Sequence, residues 1–178
     1  AGSQHLPTVS RDRENGIDLS RRAFLRGRPA ETRPLGPPPP CIADRTRETN
    51  PCLQCPGQPC LESCEPDVTR IHPPGHQLSG RAYLSFAAAG CTFCGDCFKV
   101  CPVAGPLHTG RPEAVGLAIL SRENCLAWDG VVCMSCKIAC TWEAISLDDR
   151  RRPAVQGESC TGCGFCVPVC PTNAIIVS

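Results

Sequence analysis

Cys160-Thr-Gly-Cys163-Gly-Phe-Cys166-Val-Pro-Val-Cys170-Pro171 is a C-x2-C-x2-C-x3-C-P run, and its spacing decides the fold. Cys91-Thr-Phe-Cys94-Gly-Asp-Cys97-Phe-Lys-Val-Cys101-Pro102 repeats that spacing. Two further groups vary it, one with gaps of two, four and three residues and one with gaps of seven, two and three: Cys52, Cys55, Cys60 and Cys64, then Cys125, Cys133, Cys136 and Cys140. Sixteen of the 17 cysteines therefore fall into four successive groups of four.

This spacing is typical of chains that bind [4Fe-4S] clusters, in which three cysteines hold one cube and the fourth holds its neighbour. A cube needs one thiolate on each iron, and three cysteines in one tight loop cover only one of its faces. The fourth ligand must come from elsewhere, and a cysteine followed by proline suits this because the proline turns the chain away. All sixteen grouped cysteines are therefore predicted to bind iron, in four [4Fe-4S] clusters.

Two other uses of the cysteines fit the spacing less well. A structural zinc site has two C-x2-C pairs separated by about a dozen residues or more, with no place for additional cysteines nearby. Disulfide-rich domains are mostly small and secreted, whereas this sequence shows no apolar signal segment. Cysteines two or three residues apart are also poorly placed to pair with each other. The pattern thus favours iron–sulfur clusters over zinc and over disulfides.

The composition predicts a protein that depends on its clusters for stability. Aromatic residues make up only 4% of the chain, and glycine and proline number 16 and 19, so a core of side chains alone would be thin. In such small domains the free energy of metal binding contributes to folding. We therefore expect the iron-free chain to be largely unfolded.

Charge and hydropathy argue against two classes of partner. The formal net charge is +1, but each oxidised cluster with its thiolates adds about −2, which brings the loaded protein to about −7. An acidic body of this kind is not expected to bind nucleic acid. No stretch approaches the ~18 apolar residues of a membrane span, and so many reduced thiols predict a cytoplasmic location.

The chain divides into an arm and a repeat. Residues 1–50 are rich in Arg, Pro and Gly, and the run Pro37–Pro40 predicts an extended spacer. Beyond the arm, the last cysteine of each group recurs at intervals of roughly 30 to 40 residues. We predict a small, cysteine-rich α+β fold with two bacterial ferredoxin-like modules of two clusters each, over 51–110 and 111–178. Short apolar runs are predicted as strands: Tyr83–Phe86, Leu117–Leu120, Ala144–Leu147, Pro153–Val155 and Ala174–Val177.

Two-cluster ferredoxins favour a crossed pairing of the cysteine groups within each module, and a nested pairing stays open. In a crossed pairing, the first three cysteines of a group share a cluster with the last cysteine of the other group in the same module. In a nested pairing, the first group would share clusters with the fourth, and the second with the third. The longer gaps in the first and third groups are expected to leave ligation complete, the alternative being a degraded site with three irons or none.

Several motifs in addition to the cysteine spacing carry a family resemblance. They are Ser20-Arg21-Arg22-x-x-Leu25-x-Gly27, Glu65-Pro66 after the first group, Cys91-Thr-Phe-Cys94, and the spacing from Cys125-Leu-Ala-Trp128 to Cys140. With them, residues 18–178 resemble the NapF family, the ferredoxin-type accessory proteins of periplasmic nitrate reductase. The four-residue gap in the first group departs from that family and looks more like related four-cluster subunits that feed quinol-linked reductases. The resemblance implies a cytoplasmic protein that meets the molybdenum-containing catalytic subunit before export and serves in its electron supply or maturation.

Ser20–Arg26 also looks like a twin-arginine export motif. Such signals need an apolar segment after the arginines, whereas residues 27–34 are polar and interrupted by proline. The motif can thus be an export signal, part of a solvated arm, or a short helix that becomes ordered on a partner. The last interpretation assigns partner binding to Arg21, Arg22, Phe24 and Leu25.

The remaining features concern the class of function. Cys41 belongs to no group and is expected to be a free thiol. The sequence has no nucleotide-binding glycine loop and no His/Asp/Ser constellation, so we do not expect an enzyme. The alternative to an accessory protein is an electron-transfer ferredoxin, or the wiring subunit of another redox complex.

Overall fold

Short strands and one-turn helices lie between and within the cysteine loops. The computed structural model describes residues 35–42, 50–104 and 111–178. A 3-10 helix spans Pro51–Gln54, and the two α-helices are α1 (Asp96–Val100) and α2 (Ser135–Ala139). The strands are β1 (Thr69–Ile71), β2 (Ala82–Leu84), β3 (Ala118–Leu120), β4 (Ile145–Leu147), β5 (Pro153–Val155) and β6 (Ile175–Val177). The predicted strands are confirmed for β3 to β6, the second strand lies one or two residues earlier than predicted, and β1 was missed.

The strands pair into three antiparallel two-stranded sheets. β1 pairs with β2, β4 with β5, and β3 with β6. A single antiparallel bridge joins Ile42 to Ala104. This bridge connects the segment before the first cysteine group to the segment after the second, as β3 and β6 do for the third and fourth groups. Among the described residues, the same pattern of strand pairing therefore recurs along the chain.

The same tight turn follows the last cysteine of three groups. The third residue after the cysteine has a positive φ, and a strand begins two residues further on: Asp67 (50°), Glu143 (52°) and Asn173 (52°) before β1, β4 and β6. The backbone N–H of each donates to the carbonyl of that cysteine, at 2.8, 3.2 and 3.3 Å respectively. A left-handed conformation costs a non-glycine residue about 1–2 kcal/mol. The turn reverses the chain, so that each strand runs back past the cysteine loops.

Cysteines form part of the buried core instead of lying around it. The largest apolar cluster combines aliphatic and aromatic side chains with three cysteines: Val68, Leu84, Phe86, Val115, Ala118, Ile145, Ile175 and Val177, with Cys91, Cys136 and Cys166. Each sheet contributes at least one strand residue to this cluster. The packing of the strands and the geometry of the cysteine loops therefore depend on each other.

Residues 37–42, which we call the proline strap, pack against the cysteine loops. The Leu84 N–H donates to the Pro37 carbonyl at 2.7 Å, and the Ile42 N–H donates to the Pro39 carbonyl at 3.1 Å. Pro39, Cys41 and Ile42 are buried. This differs from the spacer that the proline run predicted. Proline loses little side-chain entropy on burial and leaves no N–H unpaired, so it can cover an apolar surface at small cost.

Gly164 occupies a position where both its backbone and a neighbour require glycine. Its φ is +81°, and a Cβ would overlap with the Phe86 ring, whereas Gly130 has a φ of +85° and open space around it. We expect Gly164→Ala to lower the melting temperature of the anaerobically isolated protein by roughly 3 to 10 °C more than Gly130→Ala does. Both variants share the φ strain, so the difference reports the contact with Phe86. Equal melting temperatures, followed by circular dichroism, would contradict this explanation.

Candidate metal centres

Four cavities open between the cysteine loops, and four of the grouped cysteines line each one. Cavity A is lined by Cys52, Cys55, Cys60 and Cys101, cavity B by Cys64, Cys91, Cys94 and Cys97, cavity C by Cys140, Cys160, Cys163 and Cys166, and cavity D by Cys125, Cys133, Cys136 and Cys170. Their empty volumes, which include solvent at the mouth, are about 350, 360, 340 and 320 Å³ in that order. All sixteen predicted ligands are thus gathered into four sets of four.

Each set combines three cysteines of one group with the last cysteine of a neighbouring group. Cys101 lies with the first group, Cys64 with the second, Cys170 with the third and Cys140 with the fourth. This is the crossed arrangement. A nested arrangement would instead place Cys170 with the first group, and the described residues do not form that set. The ligand role of the sixteen cysteines stays a prediction, whereas their grouping is a feature of the fold.

The two longer ligand loops are taken up by local turns. In the first group, Gly57 (φ 70°) and Gln58 (φ 48°) reverse the chain between Cys55 and Cys60. In the third group, the Val131 N–H donates to the Leu126 carbonyl at 2.9 Å, which folds the seven-residue gap onto itself. These turns accommodate the extra residues, and the cysteines on both sides of each turn still line cavities A and D.

Backbone N–H groups point at several of the cysteine sulfurs. The Ala144 N–H lies 3.2 Å from Cys140 Sγ, and the Ala174 N–H lies 3.2 Å from Cys170 Sγ. Both donors directly follow the positive-φ turns described above. Burial opposes ionisation of Cys170, but hydrogen bonds from Thr172 and Ala174, among others, hold its pKa below the usual value. Such donors stabilise the thiolate, which is the form of cysteine that binds a metal.

Other thiols are embedded in apolar surroundings. Desolvation raises the pKa of Cys60 to about 11 and that of Cys91 and Cys166 to about 12. These side chains are protonated at neutral pH unless a metal takes the place of the proton, because coordination deprotonates a thiol outright. They are not the exposed, low-pKa thiols of a reactive cysteine site. Of the sixteen grouped cysteines, all of them described, only Cys94 is exposed.

Two buried hydroxyls show that the cavity walls fit an iron–sulfur group. Ser63 lies on the wall of cavity B, and Thr161 lies on the wall of cavity C. Neither hydroxyl has a hydrogen-bond partner among the described residues. A buried hydroxyl without a partner costs about 1–3 kcal/mol, so native structures rarely leave one. The sulfur atoms of a cube accept hydrogen bonds. A wall of thiols and apolar side chains with a spare hydroxyl donor suits such a group.

The cysteines surround the cavities instead of meeting at a point. Within residues 35–42, 50–104 and 111–178, no three cysteine, histidine or acidic side chains converge closely enough to hold one metal ion. Zinc needs its ligands about 2.0–2.3 Å from a single ion, whereas a cube takes one thiolate at each of four separate corners. Four thiols set apart around each cavity match the ligand arrangement that a cube requires.

The four cavities are neighbours in the order A, B, C, D. Between A and B lies Cys41, whose thiol is placed to hydrogen-bond to Cys97 of cavity B or to Cys101 of cavity A. Cavities B and C meet where the Cys91 N–H donates to the Cys163 carbonyl at 2.7 Å. Cavities C and D share the largest apolar cluster, which contains a cysteine from each. These contacts connect cavity A to B, B to C and C to D, and we call the connected cavities the row.

Two tryptophans flank this row. Trp142 lines cavity C and meets Phe93, on the wall of cavity B, edge to face with ring centroids 6.5 Å apart. Trp128 donates its Nε1–H to the Pro153 carbonyl at 3.2 Å, and the guanidinium groups of Arg122 and Arg152 each lie 4.4 Å from its ring. Trp142 thus covers the junction of two cavities, and Trp128 packs against a residue that lines cavity D.

Two features of the sequence had no predicted position in the fold. The predicted partner-binding residues Arg21, Arg22, Phe24 and Leu25 lie outside the described residues, so their role stays a prediction. Cys41, which was expected to be a free thiol, is an unpaired cysteine that is 1% exposed and lies on the wall of cavity A. The apolar residue that follows it, Ile42, is the one local sequence signal that Cys41 is buried. In the described part of the chain, no helix has the length and hydrophobicity needed to span a bilayer.

Known proteins resemble the chain over most of its length. A family model for a 4Fe-4S dicluster domain matches residues 118–177, which contain all the cysteines of the third and fourth groups. The chain is 30% identical to the ferredoxin-type protein NapF of Escherichia coli K12, over 89% of this chain and 94% of NapF. It is 32% identical to the ferredoxin-type protein NapG of the same strain, over 74% of this chain and 64% of NapG.

A further relative comes from methylamine utilization. The ferredoxin-type protein MauM of Methylobacillus flagellatus is 30% identical, over 83% of this chain and 69% of MauM. These matches agree with the cysteine-lined cavities in pointing to iron–sulfur chemistry. The chain belongs to the family of ferredoxin-type iron–sulfur electron-transfer proteins that includes NapF.

Proposed function

We propose that this protein holds four [4Fe-4S] clusters, one in each of cavities A to D, and acts on the molybdenum-containing catalytic subunit of a periplasmic nitrate reductase. It would supply electrons to that subunit or assist its maturation in the cytoplasm, before export, without being an enzyme itself. The observation that carries the proposal is the crossed grouping of sixteen cysteines into four sets of four. The 30% identity to NapF, in a match that covers 94% of that chain, supports the choice of client.

When bound, the clusters supply one-electron oxidation and reduction. The chain provides three thiolates from one loop and a fourth from the turn that begins a strand. At Cys140 and Cys170 the turn also provides an N–H donor to the sulfur. The apolar core excludes water from the inner walls, and Trp142 covers the outer side of cavity C. Each of these features changes how well the surroundings stabilise the reduced cluster, which carries one more negative charge, relative to the oxidised cluster.

The recurring strand pattern supports two ferredoxin-like modules, over 51–110 and 111–178. Cavities A and B draw their cysteines from the first range, and cavities C and D draw theirs from the second. The β1–β2 hairpin corresponds to β4–β5, and the Ile42–Ala104 bridge corresponds to β3–β6. The proline strap precedes residue 51 but packs on the first module, so it belongs with that module in space.

The role of the arm is tested by binding to the client without oxygen. We expect the Arg21→Ala, Arg22→Ala, Phe24→Ala, Leu25→Ala variant to bind the reductase precursor at least about tenfold more weakly than the unchanged protein, because two charges and two apolar contacts are lost. The control variant, Lys99→Ala with Arg150→Ala, removes two exposed positive charges elsewhere. Affinity is measured by anaerobic pull-down with a dilution series. Equal binding of both variants would remove the docking role from the arm.

A second function is favoured by the similarity to MauM, a ferredoxin-type protein of methylamine utilization. The protein would then be an electron-transfer ferredoxin or a wiring subunit of another redox complex. A wiring subunit copurifies with its finished enzyme in a fixed ratio and becomes reduced during turnover. An accessory protein binds the immature client and is absent from the finished enzyme. The same pull-down, run against precursor and mature reductase, separates the two.

A further inference from the structure

Cys41 stands outside the four cysteine groups, yet it lies between two of the cavities. Its side chain is buried on the wall of cavity A. Cys41 packs in one apolar cluster with Cys97, which lines cavity B, and with Cys101, which lines cavity A, and its thiol is placed to hydrogen-bond to either sulfur. The Cys41 backbone N–H also donates to the Cys97 sulfur. One residue therefore contacts the wall sulfurs of two adjacent cavities.

The proline strap holds Cys41 in this place. Pro39 and Pro40 line cavity B, and Cys41 and Ile42 line cavity A, so the strap crosses the boundary between them. The Ile42 N–H bonds back to the Pro39 carbonyl at 3.1 Å, and Ile42 bridges to Ala104 on its other side. Fixed φ angles at the prolines restrict the backbone just before the thiol. The contact is thus built into the packing of the strap.

The chemistry of the contact fixes which sulfur donates. Cavities A and B each have four grouped cysteines without Cys41, so no ligand position is left for it. A ligand cysteine is a thiolate and carries no proton. The proton in each contact therefore belongs to Cys41, whose single S–H can bond to one sulfur at a time.

We propose that Cys41 is a positioning residue whose S–H donates to the Cys97 sulfur, with Cys101 as the second acceptor, and raises the reduction potential of the centres in cavities B and A. This inference rests on the proposed occupancy of those cavities by [4Fe-4S] clusters. Hydrogen bonds to cluster sulfurs are among the determinants of the potential. A donor stabilises the reduced, more negative state more than the oxidised one. The effect is larger at cavity B, because Cys97 is the main acceptor of the S–H and Cys101 is the secondary one.

The test compares Cys41→Ala, which removes the donor, with Cys41→Ser, which keeps a donor of shorter reach. Pro38→Ala is the control, since it trims a half-buried strap side chain that lines none of cavities A to D and leaves the thiol untouched. Iron content is measured first. Midpoint potentials are then measured by anaerobic redox titration followed by electron paramagnetic resonance. In Cys41→Ala we expect the reduced-to-oxidised ratio of one centre at a fixed potential to fall about tenfold, equivalent to about 59 mV for a one-electron couple.

The expected result is full iron content in all variants, one midpoint strongly lowered and a second slightly lowered in Cys41→Ala, partial recovery in Cys41→Ser, and no change in Pro38→Ala. Unchanged midpoints at full iron content would overturn the inference. A loss of about four irons in Cys41→Ala would also overturn it, because Cys41 would then be a ligand.

A second measurement serves if Cys41→Ala does not load iron. The unchanged protein and Cys41→Ser are reconstituted in D₂O, and hyperfine couplings of exchangeable deuterons to the reduced centres are compared. A deuteron coupling that changes with Cys41→Ser supports the inference, and identical spectra contradict it. If the unchanged protein itself binds no iron, the proposed function fails, which is a different outcome from either of these.

Discussion

Removing iron from the anaerobically isolated protein is expected to unfold it. The largest apolar cluster contains Cys91, Cys136 and Cys166, and the sheets have only two strands of three residues each. An isolated two-stranded ribbon of that size is at best marginally stable in water. Without iron, several buried thiols would line cavities of about 320 to 360 Å³ with nothing to hold the loops together. Most of the folding free energy is therefore expected to come from metal binding.

Chelation followed by far-UV circular dichroism measures this effect. We expect the strand signal to collapse on the same time course as the visible iron–sulfur absorbance. The control is incubation with the chelator already saturated with iron, which leaves the spectrum unchanged. An iron-free protein that keeps its dichroism and its dispersed amide resonances would show that side-chain packing alone sustains the fold.

The crossed grouping predicts which double substitutions are redundant. Cys170→Ala and Cys125→Ala each disrupt cavity D, so their combination should lose no more iron than either alone, leaving about twelve of about sixteen irons. Cys170→Ala and Cys160→Ala disrupt cavities D and C, so together they should leave about eight. The physical reason is that a cube with a missing corner ligand is lost as a unit, while its neighbour keeps all four thiolates.

Iron and acid-labile sulfide, measured per chain after anaerobic purification, separate the pairings. The single variants act as controls and should each leave about twelve irons. If Cys170→Ala were instead redundant with Cys160→Ala, the last cysteine would serve its own group and the crossed grouping would be wrong. If every variant lost all iron, the counts are repeated after reconstitution at low temperature, where partial folds survive longer.

Much of the architecture follows from local spacing. The regular runs at Cys91–Pro102 and Cys160–Pro171 specify iron–sulfur chemistry, and the short apolar runs locate β3 to β6. β1 was missed because Arg70 interrupts its apolar character and no apolar run marks it. The turn after Cys64 could have found it. The same spacing from cysteine to positive-φ residue to strand recurs after Cys140 and Cys170.

Long-range relations could not be obtained in this way. Spacing within a loop says which three cysteines act together, but the partner of each set depends on strand pairings far apart in sequence. The proline run illustrates the same limit. Composition predicts an extended backbone at Pro37–Pro40, and only the neighbouring surface of Leu84 and the cavity walls shows that this backbone is buried. Cys41 looked isolated for the same reason.

The exposure of Cys94 predicts where oxidation of the protein begins. Cys94 is the exposed member of the cysteine set of cavity B, and cavity B contacts both A and C. Dissolved oxygen or peroxide would attack first at such an accessible thiolate and carry it toward sulfenic acid. Damage would then begin at cavity B and interrupt electron transfer between cavity A and cavities C and D.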